Sequence, residues 1–339
     1  MNFIITNREI IKNSGAESIR EDGGEQAGDN LRFGTYDLQS RRFTLFPEPK
    51  NALQTLYAPS GYKPPENYAG SAQFFRVLYK EMSAPVIFKT PFNVEKNDVL
   101  FFLHGFNTDL NGVRSNFETL HKKYVEDKNS PIAHIVIFTW PGRHPKIPYH
   151  YFDDQQDAKR SGAALARAIE KTHAFMRDYF SDDKHAPCKR RINLMVHSMG
   201  HQVLQSAMSN LKIKLELFNE LLLMAGDIEY NVFDRDKEFY NLIDLCARCH
   251  IYYHNEDRAL DISKYTKNFG NRLGRYGRRS VDPTLDGVHD VNVSHTCDDK
   301  DSGEAEKIIN HFYYYSSREV VTDIIEVLNG QPSRIPQQK

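Results

Sequence analysis

From Asp98 onward the chain alternates short, unbroken apolar runs with longer stretches in which apolar residues recur every three or four positions. Val99-Leu100-Phe101-Phe102-Leu103, the 132–140 segment around Ile135-Val136-Ile137-Phe138, Leu221-Leu222-Leu223-Met224 and His250-Ile251-Tyr252-Tyr253 read as strands covered on both faces. Between them, Gly162, Leu165, Ile169, Thr172 and Met176 fall on one face of a helix, as do Val203, Leu204, Ala207 and Met208. Ser316-Ser317-Arg318-Glu319 reads as a capping box, opening a helix with Val320, Val321, Ile324 and Leu328 on one side and Gly330 then Pro332 beyond its end. Buried strands separated by amphipathic helices predict an α/β domain with a parallel, doubly wound sheet.

Residues 1–95 lack this rhythm. Phe3-Ile4-Ile5, Leu31-Arg32-Phe33 and Phe43-Thr44-Leu45-Phe46 suggest short strands, and Phe74, Val77, Leu78 and Met82 suit a helix. Residues 13–30 are polar and Gly-rich, which predicts a mobile loop. The expected organisation is an N-terminal extension over 1–95, packed on a main domain over 96–330, and a flexible tail over 331–339.

Charge narrows the function classes. With 44 Lys and Arg against 45 Asp and Glu, the net charge is −1, and no global field favours nucleic acid or an anionic membrane. No apolar run reaches the roughly 18–20 residues of a membrane span, and the opening residues lack a signal-peptide pattern, so a cytoplasmic protein is expected. Four cysteines do not build a disulfide framework in a chain of 339 residues. Cys246-Ala247-Arg248-Cys249-His250 matches the haem-attachment spacing but runs into a predicted buried strand. Neither haem nor a zinc site built from Cys246 and Cys249 with His295 or Cys297 is expected, and no metal or organic cofactor is assigned. The 264–279 segment carries Lys267, Arg272, Arg275, Arg278 and Arg279. It reads first as a solvated loop, with recognition of an anionic substrate group as the sharper alternative. The 141–157 segment reads equally well as a small lid or a surface loop, and Asp153, Asp154 and Asp157 as helix N-terminal charges.

The chemistry concentrates at Val196-His197-Ser198-Met199-Gly200, between a strand-like and a helix-like segment. A sharp strand-to-helix turn holds a serine strained and exposed, within reach of a base. The usual G-x-S-x-G pattern has Val196 in place of its first glycine. His104-Gly105-Phe106-Asn107 follows the strand that ends at Leu103. The backbone N–H groups of Phe106 and Met199 are the candidate oxyanion donors. An orienting acid is expected after the strand ending at His254. Asp257 is the first candidate there, with Glu256, Asp261 and the earlier Asp227 as alternatives. His311, ahead of the last helix, is the candidate base, with His289 and His295 as alternatives.

These pieces resemble the α/β-hydrolase superfamily, and within it an uncharacterised bacterial esterase/lipase-like branch with an x-H-S-M-G turn. The resemblance rests on Leu103-His104-Gly105-Phe106-Asn107, Phe138-Thr139-Trp140-Pro141, Val196-His197-Ser198-Met199-Gly200, Ala225-Gly226-Asp227-Ile228 and Asn255-Glu256-Asp257-Arg258-Ala259-Leu260. Arg272-Leu273-Gly274, His311-Phe312-Tyr313-Tyr314 and the opening Ile4-Ile5-Thr6-Asn7-Arg8 complete it. It implies the α/β-hydrolase fold, with a mostly parallel eight-stranded sheet flanked by helices. It also implies a Ser198–His311–Asp257 triad acting on a small acyl substrate, an ester, thioester or amide. A catalytically silent fold serving as an interaction module, and an acyltransferase using the same triad, are the alternative expectations.

Overall fold

A computed structural model of the chain describes residues 1–13, 16–21, 30–47, 70–83, 86–87, 95–142, 151–180, 191–211, 216–265, 270–279, 285–296 and 309–335. The described strands are β1 (Asn2–Thr6), β2 (Ile10–Asn13), β3 (Ala16–Ile19), β4 (Arg32–Asp37), β5 (Arg42–Leu45), β6 (Val86–Ile87) and β7 (Glu95–Lys96). They continue with β8 (Asp98–Leu103), β9 (Ile132–Thr139), β10 (Ile192–His197), β11 (Phe218–Met224), β12 (Cys246–Tyr253) and β13 (Val288–Asn292). The main sheet runs β13-β12-β11-β10-β8-β9-β1-β4-β5. Every pairing from β13 across to β1 is parallel, whereas β4 is antiparallel to β1 and β5 to β4. The resemblance implied eight strands. The ninth arises because β4 and β5 form a hairpin that extends the β1 edge.

Helices α1 (Gly70–Ser83), α2 (Leu110–Leu120), α3 (Tyr151–Phe180), α4 (Gly200–Asn210), α5 (Arg258–Tyr265), α6 (Leu273–Tyr276), α7 (Tyr313–Ser316) and α8 (Arg318–Leu328) complete the described elements, with a π turn at His121–Val125 and a 3-10 segment at Glu238–Leu245. The period-2 geometry of the strands divides their side chains between two cores. Val99, Phe101 and Leu103 of β8 face the same layer as Phe74, Leu78, Leu165, Ile169, Val203 and Leu204, from α1, α3 and α4. Leu100 and Phe102 face the other layer, with Leu110, Val113 and Phe117 of α2 and Val320, Ile324 and Leu328 of α8. Sequences apolar on both faces are thus accounted for by helices on both faces. Among the described residues no helix is long and apolar enough to cross a membrane.

β1 lies inside the sheet, its five residues all buried and paired on both sides. Part of the expected mobile loop over 13–30 is a β2–β3 hairpin, joined by antiparallel pairing of Ile10 with Ile19 and Lys12 with Glu17. The polar composition that suggested a loop suits a hairpin whose Lys12 and Glu17 also form an ion pair at 3.1 Å. Residues 331–335 of the expected tail are held. Asp323, 2 % exposed, accepts from the Tyr252 hydroxyl at 2.7 Å, the Ser333 hydroxyl at 2.9 Å and the Arg334 amide at 2.6 Å, while Ile335 is buried. Asp323→Ala leaves the buried Tyr252 hydroxyl without an acceptor and releases the half-buried Ser333 and the Arg334 amide, so a loss of about 2–3 kcal/mol is expected in a denaturant titration; a change under about 0.5 kcal/mol would mean that the Tyr252 hydroxyl finds water instead.

Candidate active site

The carboxyl ends of β8 and β10 meet at the centre of the sheet. β8 leads on to β9 on one side, while β10 lies on its other side, and open α/β sheets bind their ligands at such a divergence. Ser198 sits there with φ +52°, in the left-handed region that side chains with a Cβ rarely occupy. The strain is held by hydrogen bonds. The Ser198 amide donates to Met224 O at 3.1 Å. The Ser198 carbonyl accepts from the His201 amide at 3.1 Å, the Asp227 amide at 3.2 Å and His201 Nδ1 at 2.9 Å. That last contact makes Nδ1 the donor. Burial pushes the His201 imidazolium down to about 4, so the ring is neutral at pH 7. Helix α4 starts immediately after, which puts the positive end of its dipole at Ser198 and Met199.

Close backbone approach explains the two glycines here. A Cβ on Gly105 would lie 2.8 Å from Ser198 Cβ, and one on Gly200 would lie 2.7 Å from His104 O. The Gly105–Phe106 peptide is therefore packed directly on the serine. Among the described residues, neither the Phe106 nor the Met199 amide has an acceptor, and the Ser198 hydroxyl has no hydrogen-bonding partner. Val196, where the motif usually has glycine, is fully buried in the layer that contains α3 and α4.

Asp257 is fully buried in the turn after β12. Its Oδ2 accepts from His311 Nδ1 at 2.6 Å, and its Oδ1 accepts from the Leu260 amide at 3.1 Å. Burial raises the Asp257 carboxyl above the ordinary range, against the pull of His311. Asn310, at φ +53°, turns the chain just before His311, and its side chain donates to Glu256 O at 3.4 Å. The His311 carbonyl lies 3.3 Å from His197 Nε2, and the two rings are 4.7 Å apart. His311 is thereby joined directly to Asp257 and, through His197, to the turn that carries Ser198. Burial holds His197 neutral, its imidazolium pushed far down.

The alternative candidates have other surroundings. Asp227 Oδ2 accepts from the Tyr151 hydroxyl, and Oδ1 lies 3.3 Å from Arg272 Nε. Glu256 is exposed, and Asp261 pairs with Arg275. His289 lies in β13 with its ring stacked on His250 at 5.1 Å, and His295 is exposed. The arginines of the 264–279 segment are likewise engaged: Arg272 with Asp227, Arg275 with Asp261, Arg278 with Asp290 and Arg279 with Asp234. Cys246 and Cys249 are buried free thiols whose pKa values are pushed up by burial. Cys297 and residues 143–150 of the possible lid lie outside the described residues.

Two neighbours of the site are assigned no role by the sequence. Tyr151 opens α3 and leans on Phe106, with ring centroids 5.5 Å apart. The Tyr313 hydroxyl accepts from the Ala225 amide at 2.8 Å and donates to Tyr252 O at 2.7 Å, holding the loop beside the serine. Tyr151 reaches the site only through the fold, whereas Tyr313 lies two residues from His311 in the chain. No curated protein matches the chain. Residues 86–328 match the family described as alpha/beta hydrolase of unknown function (DUF900), and the chain belongs to that family.

Proposed function

We propose that the protein is a serine hydrolase that cleaves a carboxylic ester, thioester or amide through an acyl-enzyme. The observation that carries this reading is the buried 2.6 Å contact of His311 with Asp257, beside a serine held at φ +52°. Ser198 Oγ attacks the acyl carbon while His311 Nε2 takes the hydroxyl proton. Asp257 keeps the other proton on Nδ1 and balances the imidazolium that forms. The carbonyl oxygen, now an oxyanion, accepts from the Phe106 and Met199 amides. Collapse expels the alcohol, thiol or amine, which takes the proton from His311. Water then repeats the sequence and releases the acid and Ser198.

A fluorophosphonate probe tests this directly, because it phosphonylates only a serine activated by a working base. Labelling of the unmutated chain and none of a folded Ser198→Ala variant is the expected result. Equal labelling of both, or none of either, would sink the assignment. The close approach at Gly105 supplies a finer test. A methyl there forces the Phe106 amide away from Ser198, and displacements of about 1 Å cost roughly 100-fold in rate. Gly105→Ala is therefore expected to slow ester turnover by about that factor, and a rate equal to the unmutated one would remove Phe106 from the mechanism.

A further inference from the structure

Arg8 is 5 % exposed and lies just beyond β1, ahead of the 86–328 stretch. A buried guanidinium is costly unless its donors are used. Of those of Arg8, Nε donates to Thr139 Oγ1 at 2.8 Å and Nη2 donates to the Thr108 carbonyl, while the nearby carboxylates of Asp109 and Asp154 favour its charged form. Its backbone is fixed as well, with the Arg8 amide donating to Thr6 Oγ1 at 3.0 Å and Asn7 Nδ2 to Ser161 Oγ at 2.9 Å.

Proton positions follow along this chain of bonds. The Trp140 amide can only donate, and it points at His104 Nε2 at 3.3 Å, so Nε2 is an acceptor. Thr139 Oγ1 is 3.0 Å from the same nitrogen. It accepts from Arg8 and spends its one proton on His104. The other nitrogen, Nδ1, then carries the hydrogen and donates to Gly105 O at 3.0 Å. Burial, aided by Arg8, pushes the His104 imidazolium down to about 3, so the ring is neutral at pH 7. Thr108 Oγ1 lies 3.1 Å from the same Gly105 carbonyl and 3.3 Å from the Phe106 carbonyl, and the Thr108 backbone carbonyl is the one held by Arg8.

Gly105 O and the Phe106 amide belong to one trans peptide, in which C=O and N–H point in opposite directions. Glycine lets that peptide lie against Ser198 and also leaves its plane free to rotate. Clamping the carbonyl from behind aims the N–H forward. We propose that Arg8 is a positioning residue for the Phe106 oxyanion donor, acting through Thr139 and His104 on one side and through Thr108 on the other. The proposal rests on the hydrolase reading above. It makes the first strand and its following turn part of the active-site machinery.

The test uses the full chain, with labelling rates for the fluorophosphonate and kcat and KM for p-nitrophenyl acetate. Arg8→Met and Thr139→Val are each expected to lower kcat and labelling rate by about 10- to 100-fold, with KM within about twofold. Arg8→Lys, which can reach one of the two acceptors, is expected to recover part of the loss. A purely structural arginine would lower melting temperature and leave kcat per folded molecule unchanged, and that result in folded Arg8→Met overturns the proposal. Should Arg8→Met fail to fold, Thr139→Val decides alone, and an unmutated rate there overturns it equally. An unmutated chain that neither labels nor turns over the ester overturns the hydrolase reading itself, and this inference with it.

Discussion

Ser198→Ala is expected to lower turnover by about a million-fold, the order seen when a triad nucleophile is removed, while the fold survives. The hydroxyl contributes no hydrogen bond to the described structure, so its loss leaves no buried partner unsatisfied. The carbonyl and amide of residue 198 keep their bonds to His201, Asp227 and Met224, since these involve backbone atoms of that residue. Ser198→Gly should be equally inactive and yet differ in stability. At φ +52° an alanine Cβ still carries the steric cost of the left-handed region, about 1–2 kcal/mol. Glycine escapes that cost but gives some back through its freer unfolded chain. The glycine variant is therefore expected to be about 1 kcal/mol more stable than the alanine variant in urea titrations. Equal stability of the two would mean that the turn is not strained in solution.

Asp257→Asn is expected to lower kcat by roughly ten-thousand-fold, through the tautomer of His311 rather than through loss of structure. The buried carboxylate accepts from Nδ1, which leaves Nε2 bare to act as base. An amide of the same shape can present its NH2 group to Nδ1. The ring proton then moves to Nε2, and the basic nitrogen faces away from Ser198. The pH dependence of stability has a definite sign. Burial holds the Asp257 pKa above its unfolded value, so the folded state binds the proton more tightly than the unfolded state does. Stability is thus fully present below the unfolded value of about 3.9 and declines as pH rises through the raised folded pKa. Asparagine removes that decline. The variant should lose less stability between acid and neutral pH than the unmutated protein, and a parallel decline in both would show that Asp257 is not the group responsible.

The fold class was legible because buried parallel strands need unbroken apolar runs and their covering helices need a periodic face. Both signals are local, and β8, β9, β11 and β12 all announce themselves this way. The turn at Ser198 was legible for a related reason: a strand, a small-residue turn and a helix follow one another in the chain. The candidate partners of that turn were only partly legible. Chain order could nominate Asp257 and His311, but it could not separate Asp257 from Asp227, since both follow strands in the same sheet. The three-dimensional arrangement separates them by contact, giving Asp257 to His311 and Asp227 to Tyr151 and Arg272.

The N-terminal segment shows the limit most clearly. Its short runs suggested strands, yet nothing local says that β1 inserts beside β9, because pairing between residues more than a hundred positions apart leaves no periodic trace. The same holds for Arg8, whose acceptors Thr139 and Thr108 are 131 and 100 residues away. Local periodicity by itself determined the central strands and their covering helices, and the strand–turn–helix succession around Ser198 determined where a strained serine would stand. The close approach of Gly105 to Ser198, the engagement of each arginine of the 264–279 segment by its own carboxylate, and the capture of residues 331–335 by Asp323 were decided only by tertiary packing. Each of these depends on a packing contact, hydrogen bond or ion pair whose geometry exists only once distant parts of the chain have met.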